Sequence, residues 1–101
     1  MAVFRFDWDE DKNQINRAKH GIDFLDATNA FKDPFRTERL SLREGSTEIR
    51  RVVVGTVDEE IMAVICTERK PFIRVISARK ARRNERREYH DRRAASGWES
   101  L

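Results

Sequence analysis

The sequence predicts an α+β fold: one antiparallel-rich sheet with helices packed on it, in the order β-α-α-β-β-β-β-α. Three observations carry this reading. An aromatic-polar alternation opens the chain. Two short segments with acidic starts and helical apolar spacing follow it. Four strand-length runs separated by turn-sized polar gaps then precede a charged helical stretch, a pattern that favours an antiparallel meander. At 101 residues the chain holds one modest core, so a single domain over 1–101 is expected.

From Val3 to Trp8, residues Phe4, Phe6 and Trp8 fall on one side of a strand and turn an aromatic face inward. Asp9, Glu10 and Asp11 suit a helix start, where carboxylates meet the positive end of the dipole. That helix is expected to reach about His20, to continue an apolar stripe through Ile15, Ala18 and Ile22, and to end on a left-handed Gly21. Asp23 caps a second helix with Phe24, Ala27, Ala30 and Phe31 inside, which Asp33-Pro34 ends. Two helices around a glycine corner suggest a helix-turn-helix. The second one carries two acids and one base, though, which is wrong for a DNA recognition helix.

Residues 35–43 read as a polar edge strand and 44–46 as a turn. Strands at 49–57, 61–67 and 72–77 follow, joined by turns at 58–60 and 69–71. The final helix spans about 80–95, with an apolar content limited to Ala81, Tyr89, Ala94 and Ala95. Few packing contacts are expected of it, and a frayed end from Ser96 onward. All helices are expected on one face of the sheet.

Charge is unevenly placed. Up to Glu60 there are 10 basic and 13 acidic residues; beyond it, 11 basic and 5 acidic. Eight of the fifteen residues from Arg79 to Arg93 are Arg or Lys. Arginine stays charged and offers a planar fork of donors, so this end suits a polyanion such as RNA. Cys66 is single and sits in an apolar run, which predicts a buried, inert thiol. No apolar stretch approaches the roughly 20 residues that span a membrane. The N-terminus lacks signal-peptide character, so a cytoplasmic protein is expected.

The sequence has no glycine-rich phosphate loop, no Cys/His metal spacing and no Ser/His/Asp set. No cofactor and no metal site are expected. Basic and polar groups remain: Lys19, His20, Arg50, Arg51, Glu68, Arg69, Arg74, Arg79, Arg83 and Tyr89. Alternation puts Arg51 with Val53, and Arg50 with Val52 and Val54. An arginine so placed needs a carboxylate, such as Glu48 or Glu68, or a phosphate. RNA offers a matching reaction, because its 2′-OH can attack the adjacent phosphate without a metal. The protein must supply a base, cations for the developing charge and an acid for the leaving 5′-oxygen. His20, Glu68 or Tyr89 are candidates for proton transfer, Arg50, Arg79 and Arg83 for holding phosphate, and Lys19 for either. His90 lies in a charged helix near its end and reads as a surface residue.

These residues resemble the BrnT toxins of bacterial type II toxin–antitoxin systems. The matching pieces are Phe6-Asp7-Trp8-Asp9 with Lys12-Asn13, Lys19-His20-Gly21-Ile22-Asp23-Phe24, and Ala30-Phe31 with Asp33-Pro34. Further on come Arg50 five residues before Gly55, Thr67-Glu68-Arg69, Arg74-Val75-Ile76-Ser77-Ala78-Arg79-Lys80-Ala81, and Arg83, Glu85-Arg86-Arg87 and Tyr89. Arg51 and Cys66 stand where the family often has aromatics. The resemblance implies a RelE-like ribonuclease fold and a metal-independent endoribonuclease that inhibits translation. It also implies a ribbon-helix-helix antitoxin (BrnA-like) through which the pair binds operator DNA. Lys19, His20, Arg50, Glu68, Arg79 and Tyr89 are the catalytic candidates it supports, with Glu68 either a base or an orienting group for an arginine. Arg51, Arg74, Arg82, Arg83, Arg86 and Arg87 are the RNA-binding candidates. The alternative is a non-catalytic RNA- or ribosome-binding module acting within a repressor complex.

Overall fold

A computed structural model describes residues 4–42 and 48–96. The turn expected at 44–46, and the chain beyond Ser96, lie outside the described residues. The elements are β1 (Phe6–Trp8), α1 (Glu10–His20), α2 (Phe24–Ala27), a 3-10 helix (Thr28–Lys32), β2 (Thr37–Leu42), β3 (Ile49–Val57), β4 (Glu60–Arg69), β5 (Phe72–Lys80) and α3 (Arg83–Ala95). They form a five-stranded mixed sheet in the order β1-β5-β4-β3-β2. The meander from β2 to β5 is antiparallel throughout, and only β1 runs parallel to its neighbour β5.

Helices cover both faces of this sheet, not one. On the first face Ile22, Phe24, Ala27, Ala30 and Phe31 pack against Val53, Val57, Met62, Val64, Cys66, Val75 and Ala78. Phe6 and Trp8 close that core through edge contacts with Phe31 and Phe24. On the second face Tyr89 of α3 and Ala81 pack on Val52, Val54 and Ala63. Strands buried on both faces lose the simple alternation, which is why the run Val52-Val53-Val54 is continuous. α3 needs few apolar residues because it covers only part of one face.

Asp9 caps α1 by accepting from Asp11 N, and Asp23 caps α2 by accepting from Leu25 N. Gly21 takes the expected left-handed conformation, φ 70°. Gly55 serves a different need. A Cβ there would lie 2.6 Å from the Ala30 carbonyl oxygen, so glycine lets the 3-10 helix rest directly on β3.

α1 departs from its expected apolar stripe. Ile15 and Ala18 are exposed, and its buried residues are Asn13 and Asn16. Asn13 accepts from Phe24 N at 2.9 Å, fixing the start of α2. Asn16 donates to the Ile22 carbonyl at 2.9 Å and accepts from Ala78 N at 3.1 Å. β1 pairs with Ile73 to Val75, so among the described residues the edge of β5 beyond Val75 has no strand partner. Asn16 supplies that partner from a side chain, which buried backbone groups require.

Candidate functional site

The site is built on the second face, where α3 starts. Arg79 on β5 faces this side because its register partner Ala63 does, and Arg39 on β2 does so opposite Val52. Both reach Glu85 in the first turn of α3, a carboxylate only 1% exposed. Arg79 forks onto it, Nη1 to Oε1 at 2.7 Å and Nη2 to Oε2 at 3.0 Å. Arg39 Nη2 meets Oε2 at 2.9 Å, and the Arg82 backbone N–H donates to Oε1 at 2.7 Å. Burial alone would raise the Glu85 pKa; the donors from Arg79, Arg82 and Arg39 outweigh it and hold the group down at about 2. Two guanidiniums on one carboxylate leave the bracket with a net positive charge.

Arg50 shares this face, since it alternates with Val52 and Val54 and pairs in register with Ser41, two residues from Arg39. Among the described residues its buried Nε has no hydrogen-bond partner. The acids nearest in sequence have other partners: Glu48 pairs with Arg69 at 3.7 Å and Glu68 with Lys70 at 3.9 Å. Arg82, Arg83, Arg86 and Arg87 are exposed at the start of α3, and Arg86 also donates to the Ala81 carbonyl at 2.7 Å.

Other sequence candidates lie elsewhere. Arg51 projects to the first face and pairs with Glu38 at 3.7 Å. There it lines a cleft of about 160 Å³ with Phe4, Phe31, Cys66 and Glu68. Burial pushes the Cys66 thiol up to about 11. Arg74 is on the second face, in register with Thr67, but sits toward the β1 edge, where it is tied to Asp7 at 3.4 Å. Lys19 and His20 end α1, in the layer of the first face, and make no hydrogen bond or ion pair with the Glu85 bracket. Tyr89 is 2% exposed and its hydroxyl donates to Asp33 Oδ2, so that group is held in the core. The structure thus brings Arg50, Arg74, Arg79 and the arginines opening α3 to one face, Arg74 being held there by Asp7, and leaves Lys19, His20, Glu68 and Arg51 outside it.

Sequence reasoning missed Arg39 and the bracketing role of Glu85. The only signal for Arg39 was its even spacing from Thr37 on an edge strand. Its face is set by register with β3, which the sequence does not state. Glu85 was visible as one of three acids, with Glu88 and Asp91, in the basic run from Arg79 to Arg93.

A family model described as the ribonuclease toxin BrnT of type II toxin-antitoxin systems matches residues 8–85. The chain belongs to the BrnT family. The matched stretch contains Arg39, Arg50, Arg79 and Glu85. No curated protein matches the chain. As a BrnT-family member it is a ribonuclease toxin, with RNA as its substrate and an antitoxin as its partner. Among the described residues no group of three or more His, Cys, Asp or Glu is arranged to hold a metal ion, and no helix is long and apolar enough to cross a membrane.

Proposed function

We propose that this BrnT-family chain is a RelE-like, metal-independent endoribonuclease that inhibits translation in the cytoplasm and seats the reacting RNA phosphate on the arginine face beside α3. One observation carries the reading: Arg39 and Arg79 converge on Glu85, and on the same face Arg50 keeps a buried Nε without a hydrogen-bond partner among the described residues. Such an array holds an anion. A phosphate gaining charge during attack by the 2′-OH is stabilised by fixed cations that need no reorganisation. Glu85, held at about 2, is too weak a base to take a proton near neutral pH, so it orients rather than transfers. The arginines at the start of α3 extend the surface along the RNA backbone. Lys19, His20 or Glu68 enter proton transfer only where the RNA chain reaches past the bracket. The antitoxin of this reading is a ribbon-helix-helix protein that covers the basic face and carries the pair to operator DNA.

A second reading has its own support, because Glu85 and Tyr89 on this face are both fully engaged. A cationic surface whose buried acid and phenol are both engaged describes an RNA- or ribosome-binding module. The two readings separate on a denaturing gel. Purified protein incubated with RNA in EDTA is expected to yield fragments with 2′,3′-cyclic phosphate ends. Cleavage that appears only with added magnesium counts against metal independence. Intact RNA together with a native-gel mobility shift favours the binding module.

A further inference from the structure

We propose that Glu85 is a positioning residue that holds Arg39 and Arg79 together as one anion-binding bracket, and that Arg39 is a phosphate ligand of the same seat. The inference rests on the ribonuclease reading and goes beyond it by adding two residues and assigning each a task.

The argument begins with distance. In the sheet order, β5 and β2 are separated by β4 and β3. At normal strand spacing their backbones stand about 14 Å apart. Two long cationic side chains crossing the sheet from opposite sides repel each other as they converge. They meet because Glu85, delivered by the first turn of α3, lies between them.

Stoichiometry is the second step. A structural ion pair needs one guanidinium per carboxylate, and Arg79 already satisfies both oxygens of Glu85 with its fork. Arg39 is then surplus to neutrality. Its side chain is 43% exposed, so part of its guanidinium remains open to a ligand. Arg50, whose Nε is buried and has no hydrogen-bond partner among the described residues, stands next along the same face of β3. A bracket that is overcharged, partly open and fixed by a buried carboxylate is preorganised for an anion of phosphate size.

The test separates positioning from bulk stability. Glu85→Gln keeps the shape and an acceptor but removes the charge that draws the arginines together. Wild type, Glu85→Gln, Arg39→Ala and Arg39→Lys are compared on a cleavable RNA oligonucleotide. Affinity is measured on the same oligonucleotide with 2′-deoxy substitutions that prevent attack. Folded Glu85→Gln is expected to bind the deoxy-substituted strand as tightly as wild type or more tightly, having lost one negative charge, while its kcat falls about 30-fold or more. Arg39→Ala is expected to lose both affinity and kcat, with partial recovery of affinity in Arg39→Lys. A merely structural brace moves activity only in step with the folded fraction. The proposal is overturned if folded Glu85→Gln cleaves within about threefold of wild type, or if Arg39→Ala binds and cuts normally. Arg39 lies on an exposed edge strand, so its variants carry the test if Glu85→Gln does not fold. A wild-type protein that leaves RNA intact defeats the ribonuclease reading instead. The binding arm still decides the bracket in that case, since unchanged affinity in Arg39→Ala overturns it.

Discussion

The Tyr89 hydroxyl donates to Asp33 Oδ2 at 2.5 Å, joining α3 to the end of the 3-10 helix through the second core. Asp33 also accepts from Phe35 N at 2.8 Å, from Thr56 N at 2.9 Å and from Thr56 Oγ1 at 2.8 Å. One buried carboxylate thereby ties the entry to β2, the end of β3 and the middle of α3. Tyr89→Phe removes one of these donors and leaves the carboxylate buried. A loss of about 1–3 kcal/mol is expected, read as a lower urea midpoint at unchanged m-value. The kcat per folded molecule should not change, because the hydroxyl faces the core. A large fall in kcat with stability intact would restore Tyr89 as a proton-transfer group.

Acid should unfold the protein through two carboxylates. Burial acts to raise the pKa of Asp33, but donors from Tyr89, Phe35 and Thr56 outweigh it and set it below 3.8. Glu85 is lowered further, from 4.5 to about 2. A depressed folded-state pKa means the stabilisation is fully present above the unfolded value and is lost as pH falls through the folded one. The denaturation midpoint is therefore expected to hold down to about pH 4.5 and to fall progressively toward pH 2. Asp33→Asn should be less stable at neutral pH and show a shallower acid limb. Tyr89 works in the other direction. Burial and the neighbouring Asp33 raise its pKa above 10, so its contribution is lost as pH climbs through that raised value.

Asn16 is expected to be among the costliest single positions in α1. Its side chain serves Ile22 O, Ala78 N and Ser77 Oγ at once. Asn16→Leu fits the helix but leaves buried backbone groups unmet, each costing about 1–3 kcal/mol. Exposed Ile15→Ala in the next position should change stability by no more than about 0.5 kcal/mol. Equal effects in the two variants would show that α1 docks through its apolar residues after all.

That contrast shows what the sequence can and cannot reveal. Periodicity found the strands of the meander, the acidic caps at Asp9 and Asp23, and the inner residues Phe24, Ala27, Ala30 and Phe31, because each is a local signal. It misread α1, whose inward face is built of asparagines that answer an unpaired edge of β5. The need for them exists only once β1 is known to be shorter than β5. It also placed α3 on the same face as the other helices, since nothing local states on which side a chain leaves the sheet. The site was legible in part. Arg50 and Arg79 stood out as arginines among strand residues, and Arg82, Arg83, Arg86 and Arg87 as a basic helix start. Arg39 stayed hidden because its partner is 46 positions away, and a pairing register is a tertiary fact.

Arg50 and Arg51 are neighbours in sequence and lie on opposite faces of β3, which makes them the sharpest pair for testing where the RNA binds. Arg50 stands on the face of Val52, Val54 and the Glu85 bracket, its buried Nε without a hydrogen-bond partner among the described residues. Arg51 stands on the other, paired with Glu38 at 3.7 Å beside Cys66 and Glu68. If the phosphate sits beside α3, Arg50→Ala removes a direct contact worth about 3 kcal/mol in the transition state, a loss of order 100-fold in cleavage. Arg51→Ala breaks only a half-exposed ion pair, worth about 0–1 kcal/mol of stability, and should cleave within about twofold of wild type. Single-turnover assays on both variants, with folded fractions matched by circular dichroism, measure this directly. The reverse ranking would move the catalytic centre to the cleft on the first face, where Glu68 and Arg51 would be its acid–base and phosphate groups.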